Sequence, residues 1–83
     1  MHRDNSIDWS KAVARKISVR IKGHATSVSL EQPFLDILKT IARKKGQSLT
    51  FIIADIDSKR PQKINLSASL RIYALQSILN QNL

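Results

Sequence analysis

The run Lys16-Ile17-Ser18-Val19-Arg20-Ile21-Lys22-Gly23-His24-Ala25-Thr26-Ser27-Val28-Ser29-Leu30-Glu31 decides the architecture. Its first half alternates strictly: Ile17, Val19 and Ile21 are apolar, while Lys16, Ser18, Arg20 and Lys22 are polar, the period-two signature of a strand with one buried face. Past Gly23-His24 the apolar residues move to even numbers, Val28 and Leu30, and Ser27 and Ser29 take the opposite face. A single continuous strand would expose one of the two apolar sets, so the change of parity requires a turn or a bulge near Gly23. The strand from Thr26 to Leu30 is then alone, or half of a small hairpin, and a ribbon of that size is marginal in water.

Helical patterning takes over immediately downstream. Gln32-Pro33 opens a helix, since proline is well tolerated at the first helical position, and Phe34, Ile37, Leu38, Ile41 and Ala42 recur at i, i+3, i+4, i+7 and i+8 to draw one apolar stripe. Arg43, Lys44 and Lys45 complement the dipole in its last turn, and Gly46 supplies a left-handed stop. Ser48 is placed to cap a second helix, in which Leu49, Ile52, Ile53 and Ile56 keep helical spacing until Arg60-Pro61. With Gln47 alone between the stop and the cap, the two helices must cross at a sharp angle. A third helix is predicted from Asn65 or Ser67, with Leu66, Leu70, Tyr73, Ala74 and Ile78 on one side and a frayed end at Asn80-Gln81-Asn82. Upstream, residues 1–15 read as a flexible arm, in which Trp9 either docks on the body or waits for a partner; residues 16–83 form the folded domain. The fold class is mostly α with a short β-ribbon.

Composition narrows the function. Eighty-three residues make one small domain, and the absence of cysteine removes disulfides and thiolate zinc sites as supports. Self-association is the remaining means of enlarging the core. Fourteen Lys and Arg against six Asp and Glu leave a net charge of +8, which calls for a polyanionic partner. The longest apolar run, Phe51-Ile52-Ile53-Ala54, is far too short to span a bilayer, and the amino terminus does not lead into a signal-peptide core. No membrane partner is expected; the chain is expected to be cytoplasmic and nucleoid-associated, with nucleic acid as the anion. No metal and no cofactor are expected: His2 has no second ligand at suitable spacing, and His24 sits beside a turn glycine where a local hydrogen bond suits it. There is no glycine-rich phosphate loop and no nucleophile, base and acid set, so the chain is not expected to be an enzyme.

The lone strand finds its simplest partner in the same segment of a second chain, pairing antiparallel across a two-fold axis with Val28 and Leu30 over the helices. The opposite face of that ribbon carries small polar side chains, and its width suits the major groove of B-DNA, about 12 Å across.

These residues carry a resemblance. The string Gly23-His24-Ala25-Thr26-Ser27-Val28-Ser29-Leu30-Glu31, the helix closed by Lys45-Gly46 and the Ser48 cap resemble the ribbon-helix-helix DNA-binding family. Within it the chain is similar to a bacterial subgroup with a G-H-x-T-S-V-S-L-E ribbon and an appended N-L-S-x helix, matched by Asn65-Leu66-Ser67-Ala68. The resemblance spans roughly residues 17–76 and implies an intertwined homodimer, with an added C-terminal helix, that inserts an intermolecular ribbon into the major groove of double-stranded DNA as a transcriptional regulator. By parity, Ala25, Ser27 and Ser29 are then the base-facing positions. The subgroup commonly carries arginine at position 25, and alanine cannot make a bidentate guanine contact, so a modest base preference or reading through DNA shape is expected, with Arg20 and Lys22 as auxiliary cations. The start of the second helix, with the N–H groups of Ser48, Leu49 and Thr50 and the nearby Lys44, Lys45 and Gln47, is expected to hold phosphates. Val28, Leu30, Ile37, Leu38, Ile41, Ile52, Ile53 and Ile56 are assigned to the dimer core.

Each site residue also has a plainer role. Ser48 caps its helix with or without DNA, Lys44 and Lys45 complement a dipole, and Ser27 and Ser29 are the wet side of a strand. The alternative function is a protein-interaction or antitoxin-like dimer, in which the arm or the third helix, with Tyr73 and Ile78, grips a protein partner. The third helix also offers a route to oligomers above the dimer.

Overall fold

The computed structural model describes residues 6–82 of the 83. A single 3-10 turn, Trp9–Ala12, precedes strands β1 (Ala14–Ile21) and β2 (His24–Glu31) and helices α1 (Gln32–Lys45), α2 (Leu49–Lys59) and α3 (Leu66–Asn82). The strands form one antiparallel hairpin. Their connection is two residues long, with Lys22 at φ 52° and Gly23 at φ 81°. Positive φ at both central residues is the type I′ requirement, whose twist matches that of the strands it joins.

This two-residue turn explains the parity change. Ile17 pairs with Val28 and Val19 with Thr26, so every odd position of β1 meets an even position of β2. Cross-strand partners share a face. Ile17, Val19 and Ile21 therefore lie with Thr26, Val28 and Leu30 on one side, and the helices cover that side. β1 begins at Ala14, two residues before the alternation at Lys16, and β2 begins at His24.

Each helix boundary has a local cause. α1 ends in a Schellman arrangement: Gly46, at φ 66°, donates its N–H to the Arg43 carbonyl at 3.2 Å, and Gln47 donates to the Ala42 carbonyl at 2.9 Å. Ser48 Oγ caps α2 by accepting from the Phe51 N–H at 3.0 Å. Asn65 Oδ1 caps α3 in the same way, accepting from the Ala68 N–H at 2.7 Å. α3 runs to Asn82, through the residues expected to fray, and no glycine or proline interrupts its last turns.

The core lies between the inner hairpin face and the three helices. Leu30, Leu38, Ile53 and Leu70 are fully buried, joined by Ile21, Val28, Ile41, Ala42, Ile52, Leu66 and Ala74. Burying each large aliphatic side chain contributes about 1.5–3 kcal/mol. Six of the eight residues assigned to the dimer core, Val28, Leu30, Leu38, Ile41, Ile52 and Ile53, are thus buried within one chain, while Ile37 and Ile56 are partly covered. Glu31 and Arg71 tie the end of β2 to α3 through two parallel hydrogen bonds, Nε to Oε1 at 2.9 Å and Nη2 to Oε2 at 3.1 Å. Trp9 does not dock: it is 71% exposed. The first five residues of the arm lie outside the described residues.

Candidate nucleic-acid interface

The hairpin register assembles the outward face. Lys16 stands opposite Ser29, Ser18 opposite Ser27 and Arg20 opposite Ala25, and all six side chains are exposed. Ala25, Ser27 and Ser29 therefore share one face, as their parity requires, and β1 adds Lys16, Ser18 and Arg20 beside them. Of these three, sequence reasoning had assigned only Arg20. Lys16 and Ser18 belong to the same surface because the turn has two residues, and the positive-φ pair Lys22-Gly23 is the signal that fixes that length. Lys22 occupies the turn itself, at the tip of the hairpin.

Charge on this face is uncompensated. Residues 9–30 hold Lys11, Arg15, Lys16, Arg20 and Lys22 and no carboxylate. The carboxylates of the described residues are engaged elsewhere: Asp55 with Lys59 at 3.1 Å, Asp57 with Arg60 at 2.9 Å and Glu31 with Arg71 at 2.9 Å. Hydrogen bonding by the Arg71 guanidinium holds the Glu31 carboxyl below its ordinary pKa. Asp36 accepts from Gln32 Nε2 at 2.7 Å, and Gln32 Oε1 in turn accepts from Arg15 Nη1 at 2.7 Å, which turns Arg15 toward α1. Asp8 accepts from the Ser10 N–H and hydroxyl, the hydroxyl bond being the larger cause of its lowered pKa.

The backbone of β2 supplies a second feature. In a two-residue I′ hairpin the closing pair, here Ile21 and His24, exchanges hydrogen bonds, and bonded pairs then alternate along the ladder. The even residues of β2 accordingly bond to β1. The N–H and C=O groups of Ala25, Ser27 and Ser29 point to the opposite edge, and among the described residues no strand pairs there.

The predicted phosphate residues cluster at the junction of α1 and α2. Lys44, Lys45 and Gln47 are exposed there, as are Ser48 and Thr50, while Leu49 is half-buried. The N–H groups of Leu49 and Thr50 begin a helix and have no intrahelical acceptor. Lys45 is turned toward α3: its Nζ lies 3.2 Å from the Tyr73 hydroxyl and 5.8 Å from the ring centre. His24 is exposed at the start of β2, without the local side-chain hydrogen bond expected of it. No group of His, Cys, Asp or Glu among the described residues is arranged to hold a metal ion, and no helix among them is long and apolar enough to cross a membrane.

A two-stranded antiparallel ribbon followed by helices joined at a three-residue corner, Gly46-Gln47-Ser48, defines a ribbon-helix-helix architecture, extended here by a C-terminal helix. The family model described as a ribbon-helix-helix domain matches residues 14–78, and the chain belongs to that family. Its members are generally DNA-binding transcription regulators or antitoxins, on a non-enzymatic fold. Searches of curated proteins and of solved structures gave no significant match.

Proposed function

We propose that the protein is a homodimeric, DNA-binding transcriptional regulator that reads duplex DNA through its hairpin. The open edge of β2 pairs antiparallel with the same edge of a second copy, giving the strand order β1, β2, β2 and β1 across a two-fold axis. With strands about 4.8 Å apart, the two central strands fit a groove about 12 Å wide, and each β1 lies about 7 Å from the axis, over the groove walls. Ala25, Ser27 and Ser29 then face the bases, and Lys16 faces the phosphates. Lys22, Lys44 and the start of α2 at Ser48, Leu49 and Thr50 add further phosphate contacts, with Lys45 and Gln47 at their margin. The single observation that carries this reading is the exposed, carboxylate-free outward face of the hairpin beside an unpaired strand edge.

The test is fluorescence anisotropy of a labelled random-sequence 30-base-pair duplex with the wild type and with the Ser27→Asp plus Ser29→Asp variant. Four added charges per dimer on the groove face should abolish binding while leaving the circular dichroism spectrum unchanged. Equal affinity in both proteins rejects the hairpin as the reader.

A protein-binding role has its own support, in parts the DNA reading does not use. Ile72, Leu75 and Leu79, on the side of α3 away from the core, are each about half exposed, and Trp9 and Val13 are more so. Such apolar side chains at helical spacing suit a protein surface, and this role is compatible with DNA binding by the hairpin.

A further inference from the structure

We infer that Arg20 is the base-reading residue of the hairpin and selects guanine, an assignment that rests on the DNA-binding reading above. Four of the six side chains on the outward face cannot donate two hydrogen bonds to one base, and the fifth, Lys16, lacks a fixed donor geometry. Ala25 has no donor, Ser18, Ser27 and Ser29 offer one hydroxyl each, and Lys16 is a point charge on a flexible stem. Only Arg20 presents the planar fork that matches guanine O6 and N7 bidentately.

Its placement suits that role. Arg20 lies directly across from Ala25, the smallest side chain of β2, where a shallow depression lined by Ser18, Val19, Arg20 and Ala25 opens on the outward face. Directly opposed Cβ atoms are about 5 Å apart, within the length of an arginine side chain, so nothing on β2 obstructs its reach toward the two-fold axis. The guanidinium is held at the turn end of the outward face, where Nη1 donates to the carbonyl oxygen of Gly23 at 2.8 Å. That bond uses one of five donors and restrains the side chain without consuming the fork. No carboxylate competes for it, as residues 9–30 contain none.

Selection from a randomised duplex pool with wild type, Arg20→Lys and Arg20→Ala provides the test. The wild type should enrich guanine at two positions related by the two-fold axis of the site, and Arg20→Ala should lose that guanine while retaining the remaining preferences, with Arg20→Lys between the two. On the wild-type sequence, exchanging those G·C pairs for A·T should weaken the wild type by about tenfold or more and Arg20→Ala by less than twofold, while the salt dependence of Arg20→Lys matches the wild type. Equal sensitivity of the wild type and Arg20→Ala to that exchange overturns the assignment. So does a uniform loss of affinity in Arg20→Ala with base preferences intact, which would make Arg20 a phosphate contact. Binding by the wild type without any enrichment also removes Arg20 as a reader but leaves the DNA-binding reading standing, whereas absence of duplex binding by all three proteins removes both.

Discussion

Replacing Lys16 and Lys44 together by alanine removes four positive charges from a dimer without touching its core. Both side chains are exposed, and neither joins an ion pair among the described residues, so the change should alter stability by no more than about 0.5 kcal/mol. Each phosphate contact contributes about 0.9 to the slope of log affinity against log salt, and a wild-type dimer touching about eight phosphates should lose about four decades of affinity between 50 and 200 mM salt. The variant, with about four contacts left, should lose about two decades over the same range. Lys59→Ala is the control: that ammonium is already engaged by Asp55 and is not among the residues assigned to the DNA face, so its removal should leave the slope unchanged. Anisotropy titrations of a labelled duplex at four salt concentrations measure all three slopes. A double variant whose slope falls by less than about one unit, or a Lys59→Ala slope that falls as far as the double variant's, would refute the placement of the DNA on this face.

Other consequences concern the frame that holds the hairpin. Leu30→Ala empties a fully buried site in the centre of the core and should cost about 2–5 kcal/mol in urea unfolding; a cost below about 1 kcal/mol would mean that β2 is not packed as described. The folded-state pKa of Glu31 is lowered by Arg71, so its stabilising contribution is complete above the ordinary value of 4.5 and fades as pH falls through the lower folded value. Thermal melts from pH 6 to pH 3 should therefore show a steeper acid loss in the wild type than in Glu31→Gln, and parallel profiles would contradict the ion pair. Leu75→Glu with Leu79→Glu should dissociate any assembly larger than the dimer, or any protein complex formed through α3, without reducing duplex affinity. Sedimentation and anisotropy read the two effects separately, and lost DNA binding in a folded variant would place α3 within the DNA-binding unit.

Most of the frame is legible in the sequence because its signals are local. Pro33, Gly46 and Ser48 mark helix ends through backbone chemistry that acts within a turn of each residue, and alternation in residues 16–21 exposes the buried face of a strand. The inward and outward faces of β2 follow from parity alone. Register is a different matter. Lys16 and Ser18 join the outward face only because the connection has two residues, and a turn of odd length would pair residues of equal parity instead. The Glu31–Arg71 pair joins residues 40 positions apart and leaves no local trace. Lys45 is assigned to the phosphate site by its neighbours in sequence, whereas its hydrogen bond to Tyr73 depends on how α3 packs against α1 and has no local signal. The second apolar face of α3, Ile72, Leu75 and Leu79, was obscured by the stronger stripe of Leu66, Leu70 and Ala74 that packs inward.

The central claim is that the open edge of β2 is completed by the same edge of another copy. The chain contains no cysteine, so single replacements report on one site at a time. Cysteines placed at Ala25, Ser27 and Ser29, tested singly and in mixed pairs under mild oxidation, should yield a disulfide-linked dimer in at least one combination, because opposed β2 residues fall within the 4.4–6.8 Å Cα separation that a disulfide needs. Lys16→Cys, on the outer strand of the proposed sheet, should stay monomeric on a non-reducing gel. Failure of every β2 combination to cross-link, with sedimentation giving the mass of one chain, would contradict the account.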